Sequence, residues 1–128
     1  MRWLVAALVC TPMLASVQEG FQLPSGNIFC EMQAAAIRCD IVNYSYAPPP
    51  KPRDCEFDWG HSVVVGPVGA ARLLCGGDTV VNRAARRLAY GMAWQGPGLT
   101  CTATQTMLRC ANGVGRGFKF SRTRLTLF

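Results

Sequence analysis

The residues able to do chemistry in this chain are few, and their spacing points to cross-linking before catalysis. Cys30 and Cys39 bracket a C-x8-C unit that returns at Cys101 and Cys110, closed by Ile37-Arg38-Cys39 in one copy and Leu108-Arg109-Cys110 in the other. Zinc is the rival reading of clustered cysteines, but no C-x2-C or nearby H-x3-H is present. The single histidine is His61. A Ser or Cys nucleophile needs an adjacent base held by a third group, and none is evident beside Ser25, Ser62 or Ser121. Glu31, Asp40, Asp54, Glu56, Asp58 and Asp78 could serve glycoside hydrolysis only if the fold pairs two of them. Asp54, Glu56 and Asp58 alternate along the chain and could face calcium, which takes many oxygens. Alternate strand residues lie about 6.5–7 Å apart, too far for one ion on an unbent strand, so a solvated face is the better reading. Gly113, Gly115 and Gly117 lack the Gly-Lys-Ser/Thr ending of a phosphate loop and read as a turn. No catalytic residue, metal or cofactor is assigned.

What remains is charge. From Arg72 onward there are nine Lys or Arg and one acidic residue, Asp78, a net +8; residues 20–71 hold three basic and five acidic residues, a net −2. Arg83, Arg86 and Arg87 form one cluster; Arg116, Lys119, Arg122 and Arg124 form another. If they share a surface, it attracts anions.

Length and leader set the compartment. The chain has 128 residues, enough for one domain. Arg2 precedes an apolar run over residues 4–14 and a small-residue region at Ala15-Ser16. That is the pattern of a secretory signal peptide over residues 1–19, too short to span a bilayer. Leu8-Val9-Cys10 resembles a lipobox, but Val9 is bulky where a small residue is needed. The domain then occupies residues 20–128, and the protein is expected to be exported to the periplasm or beyond. The seven cysteines less Cys10 leave an even set, which in a short secreted chain implies a disulfide framework. The brackets suggest Cys30–Cys39 and Cys101–Cys110, leaving Cys55–Cys75.

The elements that must position these residues are strands. If Cys30 faces Cys39 across an antiparallel pair, Glu31 faces Arg38 and Met32 faces Ile37, an opposite-charge pair and an apolar pair that both support a hairpin. The turn within 33–36 has no Asn-Gly or Asp-Gly, so a loop looser than two residues is expected. In the second unit Thr102 faces Arg109 and Ala103 faces Leu108. Residues 47–52 hold Pro48, Pro49, Pro50 and Pro52, a stiff crossing that reads as a surface connector or a peptide ligand. Residues 54–59 alternate as a half-buried strand with Cys55, Phe57 and Trp59 inward. Residues 62–65, 70–75, 118–120 and 125–128 are further strands. Residues 80–90 fit either a helix capped by Asp78 or Thr79, or two strands joined by a basic loop. Short strands separated by Gly and Pro argue for an all-β fold, a small antiparallel sandwich or barrel stapled by three disulfides, with at most one short helix.

Phe21-x-Leu23-Pro24-Ser25-Gly26-Asn27-Ile28-x-Cys30, Arg38-Cys39-Asp40, Pro52-x-x-Cys55, Asp58-Trp59-Gly60, Cys75-x-Gly77-Asp78-Thr79, Leu88-x-Tyr90-Gly91 and Gly117-Phe118-x-x-Ser121-Arg122 occur together. In these the mature chain resembles an uncharacterised family of small secreted bacterial proteins, domain of unknown function 6636. The resemblance implies no activity, but it tilts residues 80–90 away from helix. The expectation is an exported, non-enzymatic binding module for an anionic envelope lipid or glycan, using Arg83, Arg86, Arg87, Arg116, Lys119 and Arg122. The alternative is a protein-interaction module or enzyme inhibitor acting on an envelope protein; a hydrolase is less favoured. Nucleic acid is not expected as a partner outside the cytoplasm.

Overall fold

The structure, a computed structural model, describes residues 20–128. The signal-peptide reading and Cys10 lie outside them. Gly20–Gln22 (β1), Ile28–Gln33 (β2), Ala36–Ile41 (β3), Ser62–Val65 (β4) and Arg72–Leu73 (β5) form one antiparallel sheet in chain order. Ala93–Gly96 (β6), Leu99–Ala103 (β7), Leu108–Asn112 (β8), Gly117–Phe120 (β9) and Leu125–Leu127 (β10) form a second, again with each strand beside the next. The described residues contain no helix.

Period-two alternation explains the second sheet. Trp94, Leu99, Cys101, Ala103, Leu108, Cys110, Phe118 and Phe120 point inward, while Thr100, Arg109, Lys119 and Thr126 stay exposed. The inward residues join Phe21, Ile28, Ile37, Ile41, Val63 and Val65 of the first sheet in one apolar cluster. Phe21 and Trp94 touch across it, ring centroids 5.6 Å apart.

Both cysteine brackets are hairpins in the expected register. Cys30 pairs with Cys39, Glu31 with Arg38 and Met32 with Ile37; Cys101 pairs with Cys110, Thr102 with Arg109 and Ala103 with Leu108. The Cα atoms of the bracketing cysteines lie 4.1 and 4.0 Å apart, the close approach of directly opposed residues. Cys55–Cys75 is the third disulfide.

Four local expectations are corrected. The β2–β3 turn is tight: Gln33 pairs with Ala36, leaving Ala34 and Ala35 as a two-residue loop, and Ala34 takes φ 54° to close it. Glu31 and Arg38 align but do not ion-pair, because the Arg38 guanidinium turns along its own strand to Asp40. Residues 54–59 are not a strand; only Asp58 bridges, to Gly76, and Phe57 is 58% exposed. The Cys55–Cys75 link and the Asp58–Gly76 bridge tie this segment to the chain just after β5 without a continuous ladder. Residues 80–90 are neither helix nor strand pair but an irregular strap.

The strap covers the outer face of the first sheet. It crosses β3 at Thr79 and Val80, turns at Asn82–Ala85 and runs alongside β1, where Gln22 bridges Arg87 in parallel. Gln22 is buried because it anchors this path: its side-chain amide donates to the carbonyls of Arg83 and Ala85. The face beneath therefore buries Phe29, Arg38, Asp40 and Ser62 as well. The polyproline crossing is pinned as a connector, with the Trp59 indole N–H donating to the Pro49 carbonyl at 2.8 Å.

Candidate functional site

The most concentrated polar chemistry in the described residues is buried at its centre and exposed only at Asp78. Arg38 and Asp40 are 2% and 1% exposed. Asp40 Oδ1 accepts from Arg38 Nε at 3.0 Å and from the Ser62 hydroxyl at 2.5 Å; Oδ2 accepts from Arg38 Nη2, the Thr79 hydroxyl and the Val80 N–H. Arg38 Nη1 donates to Asp78 Oδ1 and Nη2 to the Asp78 carbonyl. Burial works to lower the Arg38 pKa, but hydrogen bonds and charge from Asp40 and Asp78 outweigh it and hold the guanidinium above its ordinary value. The Arg38 hydrogen bond, followed by its charge, holds the Asp78 carboxyl below the ordinary 3.8. Ser62 donates to a carboxylate already neutralised by Arg38, with no imidazole in the set, so this is a structural lock between β3, β4 and the strap. It brings together Arg38-Cys39-Asp40 and Gly77-Asp78-Thr79, two of the motifs singled out in the sequence.

The basic residues divide. Arg83 lies over the outer face of β2, its guanidinium 5.3 Å from the Phe29 ring centroid, and Nη1 donates to the Gly26 carbonyl. Arg86 and Arg87 are exposed on the strap beside β1. Lys119 stands directly opposite Arg109 on the exposed face of the second sheet. Arg122 is in the β9–β10 turn and Arg116 in the β8–β9 turn. They lie at opposite ends of β9, a four-residue strand about 13 Å long, so the structure does not bring Arg116 together with Arg122. Among the described residues the ion pairs are those of Arg38, and none of the six candidates is neutralised by one.

At the Arg122 end lies a groove of about 380 Å³. The β1–β2 turn supplies Ser25, Gly26 and Asn27; the β7–β8 turn supplies Thr104, Gln105 and Thr106; Asn43, Tyr90, Ser121 and Arg122 add to the wall, and Leu23, Ile28, Met107 and Phe120 give it an apolar part. No carboxylate lines it. Asn27 fixes one side by exchanging two hydrogen bonds with the backbone of Asn43, at 2.8 and 2.9 Å. Arg83, through Gly26, sits behind the same turn. Serine, threonine and amide groups beside an apolar floor, with one cation and no acid, make a site that can hydrogen-bond hydroxyls and attract an anion.

A second hollow of about 380 Å³ lies beside Trp59, with Tyr44, Asp58, His61 and Thr79 in its wall. Trp94, by contrast, is 4% exposed and borders the core. Burial, then the neighbouring Tyr44, pushes the Tyr46 hydroxyl well up, and it donates to the Gly60 carbonyl at 2.6 Å. Among the described residues no group of three His, Cys, Asp or Glu is placed to hold a metal ion, and no helix is long and apolar enough to cross a membrane.

Sequence reasoning missed Gln22, Asn27 and Asn112, amides that tie loops together. Asn27 and Asn112 each sit in a turn signal, Gly-Asn and Asn-Gly; Gln22 left no signal. Compared with known proteins, the chain matches a family model described as a family of unknown function, DUF6636, over residues 3–128. No curated protein and no solved structure matches it.

Proposed function

We propose that this chain, which belongs to DUF6636, a family of unknown function, is an exported, non-enzymatic binding module that holds an anionic envelope ligand through its basic C-terminal half. The observation that carries the reading is the groove at the Arg122 end: hydroxyl and amide side chains, Arg122 in the wall, Arg83 behind the turn, and no carboxylate. Of the two anions considered from sequence, an acidic glycan fits this groove better than a lipid headgroup, since Ser25, Asn27, Asn43, Thr104, Gln105, Thr106 and Ser121 offer several donors and acceptors and Tyr90, Leu23, Ile28, Met107 and Phe120 offer faces on which sugar rings can pack. The charge imbalance adds long-range attraction. The opposed Arg109 and Lys119 add to it on the neighbouring face, where like charges across strands cost stability and call for another reason to be there. Three disulfides suit an oxidising compartment.

The test is equilibrium binding of the oxidised protein to acidic cell-wall glycan across a salt series, with Arg83→Gln/Arg122→Gln beside Arg116→Gln. The expected result is affinity that falls steeply with salt, falls further in the Arg83/Arg122 variant, and is little changed in the Arg116 variant. Salt-independent binding, or equal loss in both variants, would overturn the groove assignment. Capture of one envelope protein at physiological salt, with no glycan binding, would favour an interaction module or inhibitor instead.

A further inference from the structure

The opposite end of the sandwich has a different chemistry. Four turns meet there, those joining β2 to β3, β4 to β5, β6 to β7 and β8 to β9. Ile37 pairs with Val65, which sets the first two side by side, and Leu99 pairs with Asn112, which does the same for the last two. Asn112 then joins the sheets, its side-chain amide donating to the carbonyls of Gly66 and Gly69 at 2.9 and 2.8 Å. Residues 34–35, 66–71, 97–98 and 113–116 are Ala, Gly, Pro and Val, with Arg116 as the one charge and no carboxylate. Val68 is 75% exposed and Val114 60%, the two most exposed large hydrophobic side chains among the described residues.

An apolar end becomes a membrane-seeking end only if its backbone polar groups are already satisfied, since each one carried bare into hydrocarbon costs several kcal/mol. Asn112 meets part of that condition in the two turns that carry the exposed valines. Besides the two carbonyls it holds on the Val68 turn, its Oδ1 accepts from the N–H groups of Val114 and Arg116. Its own N–H donates to the Arg116 carbonyl, and its carbonyl accepts from Gly115. Arg116 follows Val114 in the same turn, its Nε donating to the Phe128 backbone oxygen at 3.3 Å and leaving both terminal nitrogens of its guanidinium for a headgroup, and Arg72 opens β5 directly after the Val68 turn. Exposed apolar side chains flanked by cations, with no Asp or Glu in the four turns, match a surface that is apolar within and anionic at its face.

We propose that this end enters the interfacial layer of an anionic lipid bilayer, with Val68 and Val114 as the inserted side chains and Arg116 at the level of the headgroups. The inference does not rest on the glycan groove, which lies at the other end and would then face away from the membrane.

The test uses the oxidised chain with vesicles of phosphatidylcholine, with and without phosphatidylglycerol. Val68→Trp and Val114→Trp report insertion, and Thr106→Trp, in the turn at the groove end, is the control. We expect the emission of the tryptophan at 68 or 114 to shift blue and to be quenched by brominated lipid on phosphatidylglycerol vesicles, with the control unchanged. Val68→Ser/Val114→Ser should bind these vesicles at least about tenfold more weakly. Binding with no shift at 68 or 114, a shift at 106, or no vesicle binding would each overturn the proposal while leaving glycan binding to be judged separately. Self-association dispersed by the serine pair, without vesicle binding, would assign this end to a second copy and overturn it too.

Discussion

Arg38 Nη1 stands 2.9 Å from Asp78 Oδ1, and this contact joins two segments forty residues apart. The same guanidinium grips the buried Asp40, so one side chain ties the middle of the first sheet to the strap above it. Removing it would leave the Asp40 carboxylate buried without its cation. We expect Arg38→Ala to lose about 3–5 kcal/mol of stability, read from the urea midpoint. A loss below about 1 kcal/mol would mean that Asp40 is satisfied without Arg38.

Acid should loosen the strap. The folded-state pKa of Asp78 lies below its ordinary 3.8. The carboxylate's contribution is therefore complete above that value and is lost as pH falls through the lower folded-state pKa. Asp78→Asn should flatten the stability-versus-pH curve in this acid window and leave its slope near neutrality unchanged. A wild-type curve that parallels the variant's below pH 3.8 would remove Asp78 from the account.

Arg109 and Lys119 face each other in adjacent strands without an intervening acid. Lys119→Glu replaces a repulsive pair by an attractive one and is expected to raise stability by about 0.2–1 kcal/mol. It should also weaken anion binding by reducing the positive charge of that face. A variant that is more stable and binds as before would separate this face from the ligand.

Reduction should unfold the domain. In the chain-entropy treatment each bridge contributes about 2.5–3.5 kcal/mol for loops of these lengths, and together they approach the whole net stability of a small domain. Near-ultraviolet circular dichroism in strong reductant is expected to collapse, and retention of the native spectrum would count against the framework.

Much of this architecture is legible in the residues. Matched brackets around alternating side chains leave one register that faces Cys30 with Cys39 and Cys101 with Cys110, and everything between follows from period two. The strap is not legible, because its path depends on partners far away in sequence: Asp40 draws in Thr79 and Val80, and Gln22 draws in residues 83–88. Residues 54–59 alternate like a strand, yet no neighbouring strand lies alongside them, and alternation alone cannot supply one. The Glu31–Arg38 pair misleads for a related reason. Facing positions say nothing of a stronger carboxylate two residues along the same strand. The basic residues were identifiable, but which of them share an end depends on strand direction and turn order. The apolar end escaped notice because its members are scattered over four turns and only Val68 and Val114 are bulky.

In both sheets each strand pairs only with the strands next to it in the chain. Assembly can thus proceed by zippering. Each meander can form as its own strands become available, without awaiting a distant one, which keeps the entropic cost of loop closure small. The strap, whose partners lie some 40–60 residues earlier, is expected to dock last. The first hairpin can lock its disulfide before the second has formed, and the latch formed by Arg38 and Asp78 then closes over a sheet already built.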